Sequence, residues 1–474
     1  MIGGSFGGLL VALAAAGIHR KAIMDAKLFG TDGIRGQANC HPITPEVALQ
    51  VGKALARVFG AEGHGSKRVV IGKDTRLSGY MLETALTSGL VSSGMDVFLV
   101  GPVPTPAVAH LTKSMGCVAG IMLTASHNPF DDNGIKIFDQ SGFKLCDDLE
   151  ARIEELVTAG GGSSAHIRSA DIGKAYRIED ARGRYIEFAK STTRNQSLEG
   201  LKIVLDCANG AAYQIGPWIF RELGASVLKI AAEPDGYNIN AGCGALHPQT
   251  AGALVLEHGA DVGIAFDGDA DRVIFTDAQG AVVDGDRILA ISALDFKQRG
   301  QLRDDTLVVT SMSNLGLHEA MGRRGIRVET TDVGDRLVVE RMREKGYNLG
   351  GEKAGHIIFM DYATTGDGII AALQVLRVMK TSGASLAELS DCMVEYPQQQ
   401  TSIPVRERKP IEAIPRLAEL IRQCEGDLGG LGRCLVRYSG TEAKLRILVE
   451  SRDADKVANW SARLAEAVRV EIGA

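Results

Sequence analysis

Several features are missing from this sequence, and each absence removes a class of protein. No Cys-x-x-Cys pair occurs among the eight cysteines, at 40, 117, 146, 207, 243, 392, 424 and 434. The spacing that zinc ribbons and dithiol redox centres require is therefore absent. Most of these thiols sit inside apolar runs, as buried thiols do in a reducing compartment, and a cytoplasmic location is expected. There is no basic excess: 52 Lys and Arg stand against 58 Asp and Glu, a net charge of −6 with both signs spread along the chain. A nucleic-acid partner is disfavoured. The apolar stretch Gly7 to Ile18 has no basic residue ahead of it, and at about a dozen residues it is too short to cross a membrane and a poor signal peptide. Residues 1–23 are read as an N-terminal extension, with Met24 as the expected start of the functional chain.

The 474 residues exceed a typical domain about threefold, so two to four packed units are expected. Short β-branched apolar runs followed by turns and amphipathic stretches recur at Arg68 to Asp74, Met95 to Gly101 and Cys117 to Leu123. The cycle restarts at Leu201, continues through Ser226 to Ala231 and Asp261 to Asp267, and restarts again at Thr306 to Ser311 and Gly325 to Thr331. This is the α/β pattern, with parallel sheets flanked by helices. The Gly- and Ser-rich stretch Ala159 to Ser164 and the Gln/Pro-rich stretch Gln398 to Pro410 read as linkers. From about Thr401 the tail looks antiparallel, with a helix around Ile414 to Cys424 and strands at Gly432 to Tyr438 and Lys444 to Glu450.

Four motifs carry chemistry. In Thr124-Ala-Ser-His-Asn-Pro-Phe-Asp-Asp-Asn-Gly-Ile-Lys-Ile-Phe138 a buried strand delivers Ser126 onto a loop that Pro129 and Asn133-Gly134 keep out of helix and strand. Alone, Ser126 would read as a turn or cap serine. In Asp267-Gly-Asp-Ala-Asp-Arg272, three carboxylates at alternate positions converge, and Gly268 allows a tight turn around a hard cation such as Mg2+. An EF-hand is a poor fit, because no glutamate stands at the twelfth position and the loop follows a strand. A phosphoryl group on Ser126, three aspartates and Mg2+ would leave a charge of about −3. Arg35, Lys136 and Arg272 are the cations at hand. Lys136 reads equally as a charge balancer or as a base for an attacking sugar hydroxyl. In Arg437-Tyr-Ser-Gly-Thr-Glu-Ala-Lys-Leu-Arg446, two hydroxyls, a Gly440 nest and two guanidinium groups make an anion clamp suited to phosphate. Asn348-Leu-Gly-Gly-Glu-Lys-Ala-Gly-His356 is a Gly-rich loop whose Glu352 and His356 suit sugar hydroxyls, although a plain βα turn would look the same.

Taken in chain order, one per domain, these motifs resemble those of the α-D-phosphohexomutase superfamily over essentially the whole chain from Met24. Lys27 to Gly36, together with Thr124 to Pro129, is similar to the bacterial branch that interconverts glucosamine 6-phosphate and glucosamine 1-phosphate and feeds UDP-N-acetylglucosamine and peptidoglycan synthesis. The resemblance implies three similar α/β domains and a smaller α+β C-terminal domain around a central cleft, at 24–165, 166–283, 284–398 and 399–474. It implies that Ser126 is a phosphoserine with Lys136, Arg35 and His127 as catalytic neighbours. Ser126, Asp267, Asp269 and Asp271 would hold Mg2+; Glu352 and His356 would face the sugar; Arg437, Ser439, Gly440, Thr441 and Arg446 would grip the distal phosphate. The reaction would pass through a 1,6-bisphosphate that turns around, and the fourth domain is expected to swing over the cleft to retain it. The expected partner is a hexosamine phosphate, without nucleic acid or membrane; a homodimer is compatible with the sequence. Two departures stand out: Lys353-Ala354 where family members usually carry Gln or Met and then Ser, and Tyr438 and Ala443 where prolines are common. Phosphomannomutase or phosphoglucomutase activity uses the same machinery. A sugar phosphatase and a non-catalytic sugar-phosphate binder are the readings from other classes.

Overall fold

The computed structural model describes residues 27–30, 32–61, 66–160, 167–439 and 443–474. The expected extension 1–23 and the start at Met24 lie outside the described residues.

The first sheet contains β1 (Ile34–Gln37), β2 (Arg68–Lys73), β3 (Asp96–Pro102), β4 (Ala119–Leu123), β5 (Asp132–Asp139) and β6 (Ala175–Arg177), in the order β1-β5-β4-β2-β3-β6. The second holds β7 (Lys202–Asp206), β8 (Ser226–Ile230), β9 (Val262–Phe266), β10 (Val273–Thr276) and β11 (Val282–Val283), ordered β11-β10-β9-β7-β8. The third holds β12 (Thr306–Thr310), β13 (Arg327–Thr331), β14 (Leu349–Gly351) and β15 (Ile357–Phe359), ordered β13-β12-β14-β15. In each sheet at least three adjacent parallel strands are followed by an antiparallel one entered through a short loop: β4 to β5, β9 to β10, β14 to β15. β4, β9 and β12 are buried at every residue. Strands covered by helices on both faces read as continuous apolar runs, and that is why the sequence announces them.

The three chemical loops of these sheets therefore share one topological place. The Ser126 loop leaves β4, the aspartate loop leaves β9 and the Glu352 loop leaves β14. Each lies at the C-terminal end of its parallel strand, where open α/β sheets bind ligands.

The tail is a three-stranded antiparallel sheet of β16 (Gln398–Pro404), β17 (Gly432–Tyr438) and β18 (Lys444–Ser451), ordered β16-β18-β17 and covered by helices Pro415–Leu428 and Ala454–Ile472. Asp453 caps the last helix by accepting from the Asp455 and Lys456 N–H groups. The linker expected at 398–410 is corrected in its first half: Gln398–Pro404 is a strand paired along its length with β18. Only Ile403 of this edge strand is buried, so it carries no apolar alternation for a sequence reading to catch. β6, which falls beyond the expected boundary at 165, pairs with β3 and extends the first sheet.

One contiguous core runs from the β2–β4 face of the first sheet through the second and third sheets, while the tail closes a separate core around Leu417, Leu445, Ile447, Trp460 and Leu464. The first three units are thus fused, and the fourth is joined to them more narrowly. Among the described residues no helix is long and apolar enough to cross a membrane.

Candidate active site

The serine loop is held by its backbone. Ser126 adopts φ 52° and is 1% exposed; a left-handed serine costs about 1 kcal/mol or more and persists only where its surroundings impose it. The fully buried Arg76 imposes it. Its guanidinium donates to the carbonyls of Ser126 (3.0 Å), Asn128 (2.8 Å), Asp132 (3.0 Å) and Pro129, and to Asp74 Oδ2 (2.8 Å). From the second sheet's loops, Asn240 Nδ2 donates to the same Ser126 and Asn128 carbonyls at 2.9 and 3.0 Å. Thr124 Oγ1 donates to Asp74 and accepts the Ser126 N–H, at 2.7 and 2.9 Å. The result is a hydroxyl fixed in space, donating to Asp267 Oδ2 at 2.6 Å with His127 Nδ1 at 3.3 Å. Burial, then Arg272 and Arg35, push the His127 pKa down to about 4, so the ring is neutral near pH 7. Arg35 on β1 reaches the Ala125 carbonyl at 3.4 Å and pairs with Asp32.

The aspartate loop abuts the serine loop so closely that a Cβ on Gly268 would stand 2.6 Å from the Ser126 carbonyl oxygen, which excludes any side chain there. Asp267, Asp269 and Asp271 are all buried, each with one ligand atom within 4.8 Å of the others. Lys136 Nζ lies 2.9 Å from Asp269 Oδ2, 3.1 Å from Asp271 Oδ2 and 3.3 Å from Asp32 Oδ2. Thr105 Oγ1 also donates to Asp269 Oδ2, at 2.6 Å. Both Oδ1 atoms of Asp269 and Asp271 are buried without a hydrogen-bond partner. Burial, then Asp271 and Asp269, raise the Asp267 pKa well above the ordinary carboxylate value, against the pull of Arg272. Orphaned carboxylate oxygens in a dry cluster of three acids fit a hard divalent cation bound by oxygen. Burial works to lower the Lys136 pKa, but Asp269, Asp271 and Asp32 outweigh it and hold the ammonium charged.

Glu352 is half-buried, and burial raises its pKa against His356 and Arg272. His356, expected to face the sugar, is 2% exposed, a burial it shares with Ser126 and Asp269. Its Nε2 accepts the Gly366 N–H at 3.0 Å and lies 3.4 Å from Asp335 Oδ2, while Nδ1 lies 3.6 Å from Asp271 Oδ1. An acceptor Nε2 places the proton on Nδ1, toward Asp271. Only Nε2 is hydrogen-bonded, and His356 lies between Asp271 and Asp335 beside the Glu352 loop.

In the tail, the β17–β18 register sets Arg437 directly opposite Arg446. Like charges across an antiparallel pair repel, and the arrangement suits an anion between them. Burial, then Arg446, lower the Arg437 pKa, while Asp332, just past β13, opposes. Ser439 is buried, its N–H bonded to the Lys444 carbonyl at 2.8 Å. Gly440 and Thr441 lie outside the described residues.

The chain matches four family models: phosphoglucomutase/phosphomannomutase alpha/beta/alpha domain I over residues 26–162, domain II over 183–280, domain III over 284–396, and the C-terminal domain over 401–467. The phosphoglucosamine mutase of Geotalea daltonii is 54% identical over 448 residues, covering 94% of this chain and 98% of the relative. That of Myxococcus xanthus is 51% identical over 450 residues, covering 95% and 98%. The chain belongs to the phosphohexomutase family, in its bacterial phosphoglucosamine mutase branch. Solved phosphohexomutases share the fold: a phosphoglucomutase/phosphomannomutase family protein of Burkholderia thailandensis has TM-score 0.77 at 23% identity, covering 94% of this chain and 97% of that one. Aspergillus fumigatus N-acetylphosphoglucosamine mutase has TM-score 0.65 at 19% identity, covering 95% and 99%.

In this phosphohexomutase the sequence reading missed Arg76, Asp74, Thr105, Asn240, Asp32, Lys144 and Asp335. Arg76 and Asp74 had a signal, an acid and a base two residues apart directly after a buried strand. Lys144, which bridges Asp32 and Asp335, had none, because its partners are 112 and 191 residues away.

Proposed function

We propose that this isomerase interconverts glucosamine 6-phosphate and glucosamine 1-phosphate through a phosphorylated Ser126 and a hexosamine 1,6-bisphosphate. One observation carries the reading: the Ser126 hydroxyl, pinned by Arg76 and Asn240, lies 2.6 Å from Asp267 Oδ2 in a cluster of three buried carboxylates. The branch relatives supply the sugar. Ser126, Asp267, Asp269 and Asp271 would hold Mg2+, the ion named with the substrate GlcNAc-6P in the fungal structure. When bound, Mg2+ neutralises charge on the transferring phosphoryl oxygens.

The chain's own groups do the rest. Lys136 and Thr105 share the Oδ2 of Asp269, and Lys136 also meets the Oδ2 of Asp271, so the Oδ1 atoms of both carboxylates are left without hydrogen bonds for an ion. Arg35 and Arg272 add positive charge beside the phosphoserine. Phosphoryl transfer passes through a loose transition state, so orientation and charge matter more than a strong base, in keeping with a protonated Lys136. Glu352 accepts sugar hydroxyls, and Arg437, Ser439 and Arg446, with Gly440 and Thr441, grip the distal phosphate. Transfer from Ser126 to the sugar, rotation of the bisphosphate, and return of its other phosphate complete the cycle. The free cysteines suit a cytoplasmic setting.

The test compares turnover of glucosamine, mannose and glucose 6-phosphates by phosphorylated enzyme with Mg2+. Preference for the glucosamine substrate is expected; preference for mannose or glucose overturns the substrate and keeps the mechanism. Ser126→Ala is expected to fold and to lose its phosphoprotein mass and nearly all turnover.

A further inference from the structure

The fourth domain, with its separate core, meets the third at a narrow joint. Glu450 of β18, fully buried, accepts the Leu315 N–H at 2.9 Å and Arg433 Nε at 2.6 Å. Asn314 clasps the linker: its Oδ1 accepts the Tyr396 N–H at 2.9 Å, and its Nδ2 donates to the Tyr396 carbonyl at 3.0 Å and to Gln398 Oε1 at 3.3 Å. These ties join the fourth domain to the scaffold of the third, and none of them touches the sugar loop.

Lys353 does. It follows Glu352 directly, and its backbone carbonyl accepts the Gly285 N–H at 3.0 Å. Its ammonium leaves the loop for the linker, 2.6 Å from Glu395 Oε1 and 3.2 Å from Gln398 Oε1. Behind it stand Asp284 Oδ2 at 3.2 Å and Asp286 Oδ2 at 4.0 Å. One cation thus gathers two acids at the head of helix Gly285–Gln298, an acid in the linker and the first residue of β16. A neutral side chain at 353 would leave the two aspartates facing each other and release Glu395.

We propose that Lys353 is a positioning residue, a strut that fixes the sugar loop against the linker to the fourth domain and so sets the spacing between Glu352 and the Arg437–Arg446 phosphate clamp. It acts through Glu395 and Gln398, touches no reacting atom, and rests on the mutase reading given above. The departure at 353 from the family's usual residue then bears on the joint, while the neighbouring exposed Ala354 alone bears on sugar contacts. A strut of this kind governs how well both ends of one ligand are met together, and leaves the transfer step at Ser126 to its own loop.

The experiment compares wild type, Lys353→Gln and Lys353→Arg as full-length phosphoenzymes. It measures kcat and KM for the hexose 6-phosphate each turns over fastest, and amide exchange across the chain by mass spectrometry. In Lys353→Gln, KM should rise about five- to tenfold, a loss of about 1 kcal/mol in binding, with kcat within about twofold of wild type. Exchange should quicken at 395–398 and stay unchanged in β4 and β9. Lys353→Arg should restore both. Unchanged linker exchange, or faster exchange with unaltered KM, overturns the strut. If wild type prefers a sugar other than glucosamine, the substrate reading falls and the same two readouts still decide the strut.

Discussion

Replacing Arg76 by methionine strips four carbonyls of the serine loop of their donor and leaves the buried Asp74 without its cation. Deleting one partner of a buried ion pair costs about 3–5 kcal/mol. Asp74 keeps two other donors, Thr124 Oγ1 and the backbone N–H of residue 76, and Asn240 still holds two of the carbonyls. The lower end, about 3 kcal/mol, is therefore expected. Arg76→Lys separates charge from shape. It keeps a cation beside Asp74, but an ammonium has three donors where the guanidinium makes five hydrogen bonds, so at least two are lost at about 1 kcal/mol each. Activity should suffer more than stability, because misplacing Ser126 by an ångström costs about 100-fold in transfer. Urea unfolding reads the first quantity, and the single-turnover rate at which glucose 1,6-bisphosphate phosphorylates Ser126 reads the second. Wild-type transfer in a stably folded Arg76→Lys protein would refute the idea that this guanidinium positions the nucleophile.

Asp269→Asn should weaken Mn2+ binding, followed by electron paramagnetic resonance of the free ion, by at least about tenfold, since a charged oxygen ligand is exchanged for a neutral one; unchanged affinity would dismiss the aspartate loop as the metal site. Asp286 offers a pH signature: burial, then Asp284, raise its pKa from 3.8 to about 7. The native state then keeps a proton that the unfolded state sheds, so this group's contribution to stability falls as pH rises from about 4 to 7 and is level above, by up to about 4 kcal/mol. Asp286→Asn should gain on wild type in urea unfolding between pH 5 and pH 8, and a difference that does not vary with pH would contradict the assignment. Arg437→Ala should raise KM for the sugar phosphate about tenfold with a smaller change in kcat, as expected when ground-state phosphate contact is lost; an unaltered KM would remove Arg437 from the clamp.

The sequence alone determined a good deal here. Buried parallel strands write continuous apolar runs, and the loops that leave them must interrupt those runs with turn residues, so the serine, aspartate and Glu352 loops were legible as local patterns. The alternating spacing of Asp267, Asp269 and Asp271 pointed to a site able to hold a cation, and the structure brings the three carboxylates together. The antiparallel β17 and β18 and the helix before them were legible for the same local reason. Tertiary structure decided what depends on partners far along the chain. It showed that the three loops are the same hairpin of three similar sheets, and that Arg76 and Asn240, drawn from two of those sheets, grip one serine. It buried His356 with its Nε2 accepting from Gly366, and it joined Lys353 to a linker about forty residues on. A residue's type and neighbours in sequence report the conformation it favours. Which distant group meets it is settled only when the sheets pack, because only then do burial and charge choose among its directions.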